Sequence, residues 1–447
     1  MGLLIQGGAV LTMDAAATIH KPGWLWVDGT RIGAVGAGEA PEALRATAGR
    51  IINAAEMAVL PGMVNGHTHL EQIMARGVGD GRPLIRWLNE VIWPLQAAMT
   101  PEDVYVATRL ALLEQLKGGI TATVQHHKIV ASLAHVEAAL RAADELGGRL
   151  LLMRLWADLG PRGEPADAVI RQVEALRDRW QGAAGGRIAV GFGPSTPWRC
   201  SDAAMRLTTA AARAWGLPTH VHIAEATDEI EMLRQRTGLS HIEWLDALGV
   251  LGPDVQLVHN IWVSDAELDL AAASAAVMVH CPTSNLYLAS GVAPVRKMLD
   301  RGIPLTLGTD GAGGGGSQEM FETAKLALYM AKLTARDPTA MTPMEALRMA
   351  TVNGARQMGR GDLGRLAPGA AADVILVRLD TPRAVPSPDP VSALVYSACA
   401  ADVDTVLVDG RVLVDAGQVG GVDEAALLHA CVEAARRLRE RAGVVAM

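Results

Sequence analysis

The sequence predicts an α/β fold: a (β/α)8 barrel of the TIM type, joined to a small β-sandwich-like domain built from both chain ends. Three observations carry that expectation. Eight short β-rich runs alternate with longer helical patterns through the middle of the chain. Most of those runs are apolar and then close on His, Glu or Asp. Both ends of the chain read differently, as short strands separated by Gly and Asp-Gly turns.

Residues 1 to 58 contain LLIQGGAVLTM, GWLWVDGTRIGAVG and RIINAAEMAVL, the first part of the β domain. The barrel is expected over 59 to 365. Its strand candidates are AVLPGMVNGHTHL, GITATVQHH, RLLLMRLWAD, RIAVGFGPST, PTHVHIAE, VQLVHNIWV, AAVMVHCPTS and PLTLGTDG. Helical stretches such as EDVYVATRLALLEQLKGG lie between them. Doubly wound sheets share this alternation. A glycine run, Gly313 to Gly316, follows the eighth strand and lacks the Lys-Ser/Thr of a phosphate-binding loop. Residues 366 to 447 return to the style of the N-terminus, with DVILVRLD and a hairpin expected around Asp409-Gly410, and end in a helix.

The chain has 447 residues, half of them hydrophobic and 20% charged, which allows a sizeable core. Its formal net charge is -8 and no dense Lys/Arg run is present. That composition disfavours nucleic acid as a partner and points to a small molecule. No stretch approaches the ~20 apolar residues of a membrane span. The N-terminus lacks the basic start and apolar run of a secretory signal. Cys200, Cys281, Cys399 and Cys431 form no CxxC pair, so they fit a reducing cytoplasm better than a thiolate metal site.

The chemistry is expected at the strand ends, because a barrel gathers all of them on one face. His67 and His69 close the first strand, and residues i and i+2 of a strand point the same way. Two imidazoles so spaced can hold one ion. His222 closes the fifth strand and Asp310 the eighth. Three His and one carboxylate suit Zn2+ or, alternatively, Fe2+. Such an ion lowers the pKa of bound water towards 7. Glu225, three residues past His222, can carry a proton from water to a substrate nitrogen. The plain alternative for Glu225 is a helix N-terminal acid. His259 can polarise the water or bind the developing oxygen, and the alternative there is a satisfied core histidine. Asp310 can both ligate and accept a proton. His126 and His127 end strand two, with one of them expected to face the mouth. His220 points the same way as His222 but deeper and reads as packing; His20, His135, His241 and His429 read as ordinary. Trp93, Gln125, His126, Ser195 and Trp198 are the substrate-facing candidates.

PGMVNGHTH, HVHIAE, LVHN, HCPTSNLYLASG and LGTDGAG, in this order over essentially the whole chain, resemble the amidohydrolase superfamily. RPLIRWLNEVIWP and YLASG resemble one branch of it: the S-adenosylhomocysteine/methylthioadenosine deaminases, 8-oxoguanine deaminase and triazine hydrolases. The resemblance implies His67, His69, His222 and Asp310 as ligands, Glu225 as proton shuttle and His259 as the group that orients water or substrate. Binuclear members carry a lysine at the end of strand four; here GFGPST has none, which implies one metal. The nucleoside-type deaminases have GPHAPYTCS where this chain has GPSTPWRCS, so Ser195 replaces a substrate-facing His. QHH stands where 8-oxoguanine deaminase has DHH, and GAGGGGSQ where many members have Ser-Asn-Asn. A mobile loop is expected there.

The expected activity is hydrolytic deamination of an aminated N-heterocycle of purine, pterin, pyrimidine or triazine type. Hydroxide on the metal would add to the amino-bearing carbon. Loss of chloride or an alkylamine from a triazine-like ring is the alternative. A catalytically silent relative is a third reading, disfavoured because every ligand and Glu225 are present. A homodimer is the default oligomer.

Overall fold

The computed structural model describes residues 2–160 and 162–445. Eight parallel strands form the central sheet in sequence order. We number them β1 (Met63–Thr68), β2 (Ile120–His127), β3 (Arg149–Trp156), β4 (Ile188–Pro194), β5 (Thr219–Ile223), β6 (Val255–His259), β7 (Val277–His280) and β8 (Leu305–Leu307). All eight expected runs are strands. The sheet curls until β8 lies against β1, where the Asp310 amide donates to the His67 carbonyl at 3.0 Å. Gly308 permits that approach: a Cβ there would stand 2.8 Å from the His67 Cβ.

The helices between strands form for local reasons. In Pro101–Lys117, for example, Thr100 caps the start. Its hydroxyl accepts from the Asp103 amide at 3.2 Å, and the Asp103 carboxylate accepts from the Thr100 amide at 2.8 Å. Proline at the first position lacks a donor that would be orphaned anyway. Lys117 in the last turn suits the helix dipole, and Gly118-Gly119 then turns the chain into β2.

The chain ends pair into two further sheets. One contains Gly2–Gln6, Gly23–Asp28, Arg31–Ala37 and Ala48–Asn53. The other joins N-terminal strands such as Met57–Pro61 to C-terminal Val374–Arg378, Val403–Val408 and Arg411–Asp415. Leu3, Ile5 and Leu25 of the first pack against Val59, Val374 and Leu407 of the second. The expected hairpin is present, with Asp409 and Gly410 both at positive φ (49° and 70°), as a type I′ turn requires.

One expected boundary cuts an element, and the C-terminal helix packs on the barrel. The division at 58/59 falls inside Met57–Pro61, which pairs with Val374–Arg378 and leads directly into β1. The C-terminal helix Glu424–Ala442 packs along the barrel helix Pro101–Lys117, with Lys117 bound to Glu424 at 2.8 Å. No helix among the described residues is long and apolar enough to cross a membrane.

Candidate active site

The strand ends converge as the barrel requires. His67 Nε2 and His69 Nε2 each lie 3.4 Å from Asp310 Oδ1, and His222 Nε2 lies 3.3 Å from His69 Nε2. Four donors on a tetrahedron with bonds of ~2.0–2.1 Å would be separated by ~3.3–3.4 Å along its edges. These three separations match edges of such a tetrahedron, and donor atoms of His67, His259 and Asp310 also gather within 4.8 Å of one another.

Hydrogen bonds on the far side of each ring fix the tautomers. His69 Nδ1 donates to the His126 carbonyl and His222 Nδ1 to the Ser195 carbonyl, both at 2.6 Å. Gln256 Oε1 accepts from Gln357 Nε2 at 2.9 Å and from His220 Nδ1 at 2.8 Å. His220 Nε2 is therefore an acceptor, and His67 Nδ1 donates to it at 2.7 Å. Every Nε2 consequently presents a lone pair to the common point. The 3.3 Å approach of His69 to His222 is then lone pair against lone pair, which needs a cation between. Burial lowers the pKa of all three rings and keeps them neutral, the form that ligates. Asp310 stays ionised: its pKa is held well below the usual range against the effect of burial. Second-side partners of this kind orient metal ligands.

His126 also comes within 4.8 Å of His67 and His222. It stacks on His222, with centroids 4.7 Å apart, and donates through Nε2 to the Gly193 carbonyl at 3.0 Å. An ion in the plane of His222 lies off the plane of a stacked ring, which favours His69 over His126 as the donor beside it, while His259 gathers with His67 and Asp310. β4 carries no lysine.

Three turns at the site are backbone-strained. Ala224 (φ 48°), His259 (φ 74°) and Asp310 (φ 59°) all occupy the left-handed region. The Ala224 turn is braced: its amide donates to His241 Nδ1 at 3.0 Å, and His241 Nε2 donates to the Glu229 carbonyl at 3.2 Å. The adjacent Glu225 amide donates to Glu229 Oε1 at 2.6 Å. This holds the Glu225 carboxyl, 6% exposed, with Oε2 at 3.4 Å from His259 Nε2. Burial, reinforced by the Asp310 charge and opposed by Lys128, pushes the Glu225 pKa up to about 8. His259 donates through Nδ1 to Asn285 Oδ1 at 3.0 Å. Its Nε2 has no hydrogen-bond partner and lies 4.0 Å from Asp310 Oδ2, between the two carboxyls.

A cavity of about 480 Å³ opens on this cluster. It touches His69, His222, Glu225, His259 and Asp310. Trp93, Ser195 and Trp198 line it. Gln125 and His126 do not: both are fully buried. Strand alternation accounts for the correction. His126 points into the barrel interior, and Gln125 turns the opposite way to meet Glu71 at 3.2 Å and His127 at 2.9 Å. The glycine run forms a short 3-10 turn, Ala312–Gly314, buried near Gln72 and Trp87 instead of an open loop.

The residues that sequence reading passed over are the supports. His220 read as packing and His241 as ordinary, yet each braces a functional group. The signal for His220 was available, since its i, i+2 relation to His222 is the same spacing as His67 and His69. Nothing local marked His241, Gln256 or Asn285, because their partners are distant in sequence.

Comparison with known proteins agrees with this geometry. The amidohydrolase family profile matches residues 58–413. A 5-methylthioadenosine/S-adenosylhomocysteine deaminase of Pelotomaculum thermopropionicum is 37% identical over 440 residues, covering 98% of this chain and 99% of that protein. A 5'-deoxyadenosine deaminase of Methanosarcina mazei is 36% identical over 441 residues, with 98% and 99% covered. Among solved structures, a zinc-bound adenosine deaminase from Xanthomonas campestris superposes with a TM-score of 0.90 at 30% identity, covering 99% of each chain. Atrazine chlorohydrolase from Arthrobacter aurescens, complexed with zinc, gives a TM-score of 0.90 at 26% identity over 97% of this chain and 100% of that one. With a ligand cluster of this geometry and a profile match spanning the barrel, the chain belongs to the amidohydrolase family and is a metal-dependent hydrolase.

Proposed function

We propose that the protein hydrolytically deaminates an aminated N-heterocycle. The observation that carries this reading is Glu225, a carboxyl beside the ligand cluster that burial keeps protonated near neutral pH. His67, His69, His222 and Asp310 hold one divalent ion, with zinc favoured by the zinc-bound structures it resembles. When bound, the ion supplies a nucleophile from water at neutral pH.

The chain's own groups manage the protons. Water adds to the ring carbon that bears the amino group. Asp310 Oδ2 and His259 Nε2 face the space where that water loses its proton. Glu225 gives its proton to the adjacent ring nitrogen, which neutralises the charge that develops there. The carboxylate then takes up the water's proton and delivers it to the amino nitrogen. The C–N bond breaks, ammonia leaves, the added hydroxyl returns its proton to the Glu225 carboxylate, and the product is a lactam. Trp93, Ser195 and Trp198 contact the ring from the cavity wall.

Ammonia release by metal-loaded protein, measured across aminopurines, nucleosides, cytosines, pterins and triazines with metal assayed in parallel, tests the reading. Turnover of one ring class supports it. Silence across the panel at one ion per chain overturns it. The superposition on triazine hydrolases, with TM-scores up to 0.91, then favours chloride or alkylamine as leaving group, read by chloride release from a chlorotriazine. We place the protein in the cytoplasm, where its four free cysteines fit a reducing compartment, and propose a homodimer as its assembly.

A further inference from the structure

Lys128 follows β2 directly and lines the cavity together with Glu225, His259 and Asp310. It is held there by its main chain: its amide donates to Glu71 Oε1 at 3.2 Å, and Gln125 fixes the other Glu71 oxygen. The ammonium itself forms no hydrogen bond or ion pair with any described residue. Burial lowers its pKa, and Asp310, Glu71 and Glu225 oppose that shift through space, without contact. It is enclosed by protein, and the part that remains half-buried borders the cavity. A charge withdrawn from bulk water without a contact partner is costly, and such groups are paired when the site is filled.

The polar groups nearby do not supply that partner. Glu71 is engaged by the Lys128 amide and by Gln125, and burial pushes the Glu225 pKa up to about 8. Asp310 is the nearby anion, and its Oδ1 belongs to the ligand cluster. No described carboxylate contacts the Lys128 ammonium, so a neutral ring leaves it without a contact partner.

We propose that Lys128 determines specificity by pairing with a negative group on the substrate, so that the preferred substrate is an anionic N-heterocycle. The shared chemistry is an oxygen anion attached to the ring, either an ionised ring oxo group or a ring carboxylate. This rests on the heterocycle reading above but not on deamination. The Ser195 position and the aromatic wall accept the ring, and Lys128 selects its charge.

Equilibrium binding to zinc-loaded protein, read by the fluorescence of the cavity tryptophans, tests it with rings that carry no exocyclic amine and cannot be deaminated. Urate against hypoxanthine probes the ring oxyanion, and orotate against uracil the carboxylate. We expect at least one anion to bind about ten- to a hundredfold more tightly than its neutral counterpart. Lys128→Met should abolish that preference and Lys128→Arg should keep most of it. Urate alone preferred assigns the ring oxyanion, and orotate alone the carboxylate. The proposal is overturned if neither anion is preferred. It is equally overturned if the preference survives in Lys128→Met, since the metal is then the anion's partner. Should Lys128→Met fold poorly, as read by circular dichroism, Lys128→Gln replaces it in the same comparison. An anion preference together with no ammonia release from any panel member would leave this inference standing while the deaminase reading fails.

Discussion

At the scale of single residues, Glu225 and His220 separate chemistry from support. Glu225→Gln keeps the size and the brace from Glu229 but cannot carry a proton. We expect it to retain its metal and to lose about 10²- to 10⁴-fold in kcat, measured by ammonia release beside metal analysis. Near-normal turnover would remove Glu225 from the mechanism. The same variant has a stability signature. A carboxyl whose folded pKa stands at about 8, above its ordinary 4.5, contributes stability that is complete below 4.5 and is lost as pH rises through 8. Metal-free Glu225→Gln should therefore gain stability relative to metal-free wild type as pH is raised across that window, in denaturant titrations at several pH values. A constant difference contradicts the burial argument. His220→Ala leaves His67 Nδ1 without its acceptor. Metal affinity should fall about 10- to 100-fold in chelator competition, because outer partners set ligand orientation. Unchanged affinity would return His220 to simple packing.

At the scale of elements, the barrel seam between β8 and β1 is the sensitive join. It places Asp310 beside His67, and Gly308 lets the two strands approach. Gly308→Ala pushes a methyl against the His67 backbone, a contact that must be relieved by moving a strand. Overpacking of this kind costs about 1–3 kcal/mol. Thermal denaturation should show a lower Tm, and metal affinity should fall with it, since the seam carries two of the proposed ligands. A fall in Tm without any change in metal binding would mean that the seam relaxes away from the site. The same element scale explains the misplaced substrate candidates. In β2 the alternation of the strand, set by its register with β3, sends His126 inward and Gln125 outward. The residue that reaches the cavity is Lys128, just past the strand end.

At the scale of the whole molecule, the barrel and the sandwich are joined by a buried ion pair. Arg149, at the start of β3, binds Asp373 through two contacts of 2.8 Å and also pairs with Asp409 at the hairpin turn. Arg149 and Asp373 are 1% and 3% exposed. Removing one partner strands the other charge in the interior, which costs about 3–5 kcal/mol. Arg149→Met should therefore lower the Tm substantially, and Asp373→Asn in that background should recover part of the loss. Equal stability of Arg149→Met and wild type would show that the two domains hold together through their apolar contacts alone.

The barrel and the two-ended sandwich were legible in the sequence because each is written locally, and the proposed ligands were marked there in the same way. Strands show as apolar runs, the hairpin as Asp-Gly between alternating residues, and the ligands as His or Asp closing a strand. Fold topology then gathers those ends on one face without further information. The supports were not legible, because His220, Gln256 and Gln357 form a chain only when β5, β6 and the helix Val352–Gln357 are packed together. The direction of each β2 side chain, the protonation of Glu225 and the solitary charge of Lys128 likewise depend on what surrounds them. Residue identity determined which chemistry the protein could attempt; burial and register, which exist only in the tertiary structure, decided which groups ligate, which carry protons and which face the substrate.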